Sequence, residues 1–170
     1  PLDQQAAMIQ EWCPEAKTVG LLYCSGEPNS QYQVDTVQEH LEELGYTCTQ
    51  YAFSDSNDMA AVTQTAADNS DVIYVPTDNT VASNASIVDN ICRPAKIPVF
   101  TGEQGICKGC GVATLSISYY DLGVTTGEMA VKVLRGEADI SQMPVEYAPQ
   151  FTKMYNQDIW DDLGLTPREG

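Results

Sequence analysis

Residues 72–81, Val72-Ile73-Tyr74-Val75-Pro76-Thr77-Asp78-Asn79-Thr80-Val81, decide how this chain folds. The apolar, β-branched beginning reads as a buried strand over 71–75, the kind found in a sheet covered on both faces. Pro76 cannot donate to a ladder and ends the strand. Thr77, Asp78 and Asn79 then supply capping side chains where a helical pattern over 79–93 begins. A strand that empties into a polar turn and then a helix N-terminus is where an open α/β sheet gathers its ligands.

The same unit recurs on either side. A helix over 3–12, with Asp3 as N-cap and Ala6 and Ile9 as its apolar stripe, stops at Pro14. Thr18–Tyr23 is a strand, and a helix over 30–44 follows with Val34, Val37, Leu41 and Leu44 inward, Ser30 and Gln33 as a capping box and Gly45 at its end. Residues 46–53 alternate in polarity, as a sheet edge does. Ser54-Asp55-Ser56-Asn57 caps a third helix to about residue 69. Strands at 97–100 and 112–117 complete the series. Ser118 and Asp121 cap a helix whose packing face continues through Met129, Ala130, Val133 and Leu134 to Gly136. Five strand–helix units predict an α/β fold, a three-layer α/β/α arrangement with a mostly parallel five-stranded sheet in the order 2-1-3-4-5. After Gly136 the rhythm breaks. Residues 137–149 are polar, 150–155 read as extended and 156–163 as a short closing helix, so 137–155 reads as a crossover or strap.

At 170 residues the chain has the size of one domain, and no apolar run reaches the length that crosses a bilayer. The 24 acidic and 8 basic residues give a formal charge of −16, which excludes a nucleic-acid partner because nothing could neutralise a run of phosphates. Plain solubility and a cleft tuned to a cationic group both fit that charge. Six cysteines, Cys13, Cys24, Cys48, Cys92, Cys107 and Cys110, leave buried thiols, a local disulfide, and metal or redox chemistry open. Cys107-x-x-Cys110 lacks a second pair at zinc spacing and reads as part of a glycine-rich turn over 105–111. No GxSxG elbow, Walker loop or GxGxxG is present, and His40 is the sole histidine. Nothing marks a catalytic nucleophile, a metal site or a cofactor.

In such a sheet the turns at 24–30, 76–80, 101–105 and 118–121 share one rim, and the first two flank the point where strand order reverses. Their polar content nominates Ser25, Glu27, Asn29, Ser30, Thr77, Asp78, Asn79, Glu103 and Tyr119. Open helix N-termini there suit a carboxylate, and Glu27, Asp78 and Glu103 suit an ammonium. An α-amino acid carries both groups. Plain helix capping accounts equally for Ser30, Asp78 and Asn79.

Several of these segments resemble one family. Lys17-Thr18-Val19-Gly20-Leu21-Leu22-Tyr23 with Ser25-Gly26-Glu27 and Asn29-Ser30, then Tyr74–Ser83, Lys96–Phe100 and Tyr119-Tyr120-Asp121-Leu122-Gly123, are similar to the substrate-binding proteins of ABC importers, in particular the tryptophan- and tyrosine-binding lipoproteins. The resemblance implies a type I periplasmic binding protein fold with two lobes. It implies that 1–170 is the second lobe, that the tail around 144–155 returns through a hinge, and that the protein is an extracytoplasmic, membrane-anchored lipoprotein. Its partners are then a small amino-acid-like ligand, the permease subunits and the other lobe. Carried over by residue, Ser25, Glu27, Asn29 and Ser30 contact the ligand from the first turn and Thr77, Asp78 and Asn79 from the third, with Asp78 pairing the ammonium. The same fold also serves ligand-sensing domains of receptors and transcription regulators.

Overall fold

The structure, a computed structural model, describes residues 1–165. A six-stranded sheet runs in the order β2-β1-β3-β4-β5-β6. Its strands are β1 (Thr18–Cys24), β2 (Thr47–Phe53), β3 (Val72–Val75), β4 (Val99–Thr101), β5 (Ala113–Ile117) and β6 (Phe151–Tyr155). The first five are parallel, in the expected order, and β2 is an edge. The sheet has six strands where five are expected. β6, from the tail, pairs antiparallel with β5, setting Phe151 opposite Ile117 and Tyr155 opposite Ala113.

Alternation along the strands divides the core in two. Val19, Leu21 and Tyr23 of β1 pack with helices α1 (Leu2–Trp12), α2 (Pro28–Glu43) and α8 (Gln157–Leu163). Leu22 and Cys24 face the other way, toward α3 (Met59–Asn69), α4 (Asn79–Ser83), α5 (Ala85–Cys92) and α6 (Gln104–Cys110). Polar anchors cross the first layer: the Tyr74 hydroxyl donates to Gln5 Oε1 at 2.6 Å, and Gln5 Nε2 donates to the Leu115 carbonyl at 2.7 Å. Trp160 of α8 is buried and its indole N–H donates to the Val112 carbonyl at 2.8 Å.

Several local expectations are corrected. α1 starts at Leu2 with no side-chain cap, so Asp3 lies inside it. α2 starts at Pro28, which is pre-set for the first helical position, so Ser30 and Gln33 are not its capping box. α3 begins at Met59, and Asp58 turns its carboxylate back onto the Ser54 and Asp55 N–H groups. The helix expected over 79–93 breaks at Asn84. The Asn84 side-chain amide donates to the Thr80 carbonyl at 2.9 Å and so competes with the backbone ladder. The turn expected over 105–111 is helix α6, with Ile106 and Cys110 buried four residues apart. Gly109 lets it approach α5 closely, since a Cβ there would lie 2.6 Å from the Ala85 Cβ.

The largest departure is α7 (Tyr119–Leu134). Ser118 caps it as expected, accepting from the Asp121 N–H at 3.2 Å. None of its residues is buried, the expected packing face included. Met129, Ala130, Val133 and Leu134 instead line an open groove of about 620 Å³ with Ile140, Met143, Pro144 and Val145. Among the described residues no helix is long and apolar enough to cross a membrane.

Candidate functional site

The C-terminal ends of β1 and β3 deliver two turns that are laced together. Glu27 precedes α2, yet its carboxylate reaches the start of α4. Oε2 accepts from the Asn79 N–H at 2.9 Å and from Asn79 Nδ2 at 3.0 Å. Oε1 accepts from the Thr80 N–H at 2.9 Å and the Thr80 hydroxyl at 2.8 Å. Burial pushes the Glu27 carboxyl up, but these four bonds more than offset it and hold the group below its ordinary 4.5.

Asp78 caps α4 from the other side. Its Oδ1 accepts from the Val81 N–H at 2.9 Å, and its Oδ2 accepts from the Cys24 N–H and the Ser30 hydroxyl, each at 2.8 Å. The residue is 1% exposed. Asp78 therefore shares the rim with Glu27, but it lies beneath the surface with both oxygens engaged.

Thr77, between them, is held by α2. Its N–H donates to Gln33 Oε1 at 2.9 Å, and its carbonyl accepts from Asn29 Nδ2 at 2.9 Å and from the Ser30 hydroxyl at 3.4 Å. Gly102 closes the approach from β4: a Cβ there would stand 2.8 Å from the Thr77 nitrogen. Glu103 caps α6 by accepting from the Gly105 N–H at 2.8 Å and from the Ile106 N–H. Tyr119 stands near it, for burial and then the Glu103 charge raise its phenol. Ser25 turns toward β2, its hydroxyl donating to the Phe53 carbonyl at 3.2 Å.

Seven of the nine nominated residues thus sit on the first and third turns. Six of them, Glu27, Asn29, Ser30, Thr77, Asp78 and Asn79, form one hydrogen-bonded group. Glu103 and Tyr119 lie outside that group, linked to each other only by charge. The expectation of open helix N-termini is corrected at α4. Its first four N–H groups are taken by the Glu27 carboxylate, the Asp78 carboxylate and the Asp78 carbonyl, so a ligand carboxylate finds no free donor there. The turns at 24–30, 76–80, 101–105 and 118–121 contain no Lys or Arg. What this rim offers is negative charge, hydroxyl and amide groups, and aromatic surface, which suits an amine and a ring. Sequence reasoning missed Gln33 and Thr80. Gln33 lies four residues after Asn29, hence on the same helical face, which was the available signal.

The thiols face inward. Cys24, Cys48, Cys92, Cys107 and Cys110 are free thiols, and all of these but Cys48 are buried. Burial pushes Cys92 and Cys107 up to about 12 and Cys48 to about 11, the reverse of what an attacking thiolate needs. No group of three or more metal-ligating side chains occurs among the described residues.

A family model described as ABC transporter substrate binding protein matches residues 1–170. A tyrosine-binding protein of Clostridioides difficile (strain R20291) is 29% identical over 164 residues, which are 96% of this chain and 47% of that protein. An ABC domain from Streptococcus pneumonia, solved in complex with L-Trp, superposes with a TM-score of 0.89 at 34% identity, over 98% of this chain and 56% of that one. The ligand-free, open structure of a substrate binding protein with adhesive properties from Clostridium difficile gives a TM-score of 0.80 at 36% identity, with the same two coverages of 98% and 56%. A sugar-binding protein from Bacillus halodurans, at 15% identity and a TM-score of 0.66 over 93% of this chain and 61% of that one, shares the type I binding-protein fold alone. The chain spans about half the length of the relatives it matches.

Proposed function

This chain belongs to the ABC transporter substrate-binding protein family, and on that premise we propose that it is one lobe of an extracytoplasmic receptor that delivers an aromatic, amino-acid-like solute to the permease of an importer. The observation that carries this reading is the lacing of the first and third turns by Glu27, at the point where strand order reverses. It builds a rim at the C-terminal ends of β1 and β3, where a second lobe can close over a solute.

The chemistry of the rim orients the ligand. Its carboxylates and its lack of Lys and Arg assign it the ammonium end, while Tyr119 offers a wall for the ring. The ligand carboxylate is met by the other lobe. Residues 118–150 fit that division. α7 buries nothing and its apolar groove stands open, which is what a segment completing the core of the other lobe shows when that lobe is removed. The hinge then includes the start of α7 as well as the tail.

Thermal unfolding of the full-length protein with L-Trp, L-Tyr and L-Phe tests the proposal. A ligand at about 100 times its Kd stabilises by about 2.7 kcal/mol, an easily resolved shift in Tm. Indole-3-propionate, which keeps the ring and carboxylate but lacks the amine, should give no shift. The absence of any shift with the amino acids, or equal shifts with indole-3-propionate, overturns the assignment.

A further inference from the structure

The spacing predicts Gln33 as a capping residue, yet α2 starts five residues before it and does not use it so. Its oxygen accepts from the Thr77 N–H, which belongs to the Pro76–Thr77 peptide. Asn29, one turn earlier, donates to the Thr77 carbonyl, which belongs to the next peptide. The two peptide planes flanking Thr77 are therefore fixed from one helix face, and fixing both planes fixes the direction of the Thr77 side chain. Tethering alone does not require this. Glu27 already binds the turn to the start of α2, and Asp78 binds it to β1. On the opposite side Gly102, lacking a Cβ, lets the turn lie directly against the end of β4, where the Thr77 hydroxyl donates to the Gly102 carbonyl at 3.5 Å.

We propose that Gln33 is a positioning residue for ligand binding. With Asn29 it presents Thr77 to the solute in one fixed orientation, a role that rests on reading residues 24–30 and 76–80 as the ligand rim. Gln33 acts through the backbone of Thr77 and not by contact.

The test compares Gln33→Met, which keeps length and loses the acceptor, with Gln33→Glu, which keeps an oxygen in its place. In the full-length protein, Q33M should weaken binding of the best aromatic amino acid about tenfold and speed amide exchange over 77–81 by a similar factor. Q33E should restore both, and the ligand-free Tm should fall by no more than about 4 °C in either variant. Wild-type affinity in Q33M, equal losses in Q33M and Q33E, or a Tm collapse that accounts for the lost affinity each overturn the proposal. If the wild type binds no amino acid, the ligand reading fails, and amide exchange then decides alone whether Gln33 orients the turn.

Discussion

Replacing Asp78 separates two roles that a carboxylate at this position can have. As a clasp, it serves three donors: the Cys24 and Val81 N–H groups and the Ser30 hydroxyl. As an ammonium partner, it serves the ligand. At 1% exposure, Asp78 leaves its donors without water when it is lost. In Asp78→Ala the lost cap on Val81 costs about 1 kcal/mol. The stranded Cys24 N–H costs about 1–3 kcal/mol more. Ser30 recovers part of its bond through the Thr77 carbonyl, 3.4 Å away. The total of about 2–4 kcal/mol corresponds to roughly 4–16 °C in Tm for a folded unit of this size. Asp78→Asn keeps the acceptor toward Val81 and turns an NH₂ toward the Cys24 N–H, for a loss of about 1–3 kcal/mol. Urea unfolding without ligand, followed by calorimetric titration with ligand, reads both quantities. The clasp predicts that affinity and stability fall together in D78N. A D78N protein with the wild-type urea midpoint and a binding loss above tenfold would refute this reasoning and restore Asp78 as the ammonium contact.

Two further outcomes follow from the titrating groups. The folded carboxyl of Glu27 lies below its ordinary 4.5, so its contribution is fully present above about pH 4.5 and is lost as pH falls through the lower folded value. Stability should therefore drop on the acid side, and Glu27→Gln should flatten that limb; an unchanged acid slope in E27Q rules the linkage out. Cys92, Cys107 and Cys110, buried and raised, should resist iodoacetamide at pH 8 in the native protein and react in urea. Fast native labelling of Cys107 or Cys110 would reopen thiol chemistry for this chain.

The parallel sheet and the rim were legible because they rest on local signals. Apolar β-branched runs marked strands, and Pro76, Asp78 and Ser118 marked where they end. What escaped depended on partners distant in sequence. Gly105, Gly109 and Gly111 made residues 105–111 read as a turn, but Glu103 seals that helix at its start and Gly109 is needed for its contact with Ala85. Residues 150–155 were legible as extended, not as the antiparallel neighbour of β5, because pairing is not written in one strand. The apolar periodicity of α7 was real, but periodicity gives a face without saying which core receives it. Glu27 and Asp78 were found by residue type and place. Their use of both oxygens within the chain could not be found that way.

That internal use explains why α4 exists. Five residues are too few for a helix to stand on its own propensity in water. Glu27 and Asp78 supply acceptors for its first three N–H groups, and Val81 alone of its residues is buried. The short helix is thus held mainly from its N-terminus, by two negative charges placed where the helix dipole favours them. Two carboxylates that composition would assign to a ligand are thereby committed to shaping the third turn, and the dipole that would attract a ligand carboxylate is already answered. Glu103 spends both of its oxygens on the start of α6 in the same way, so all three carboxylates act on this rim through their summed field. On the proposed reading, this rim disfavours the anionic end of a solute and takes its cationic end.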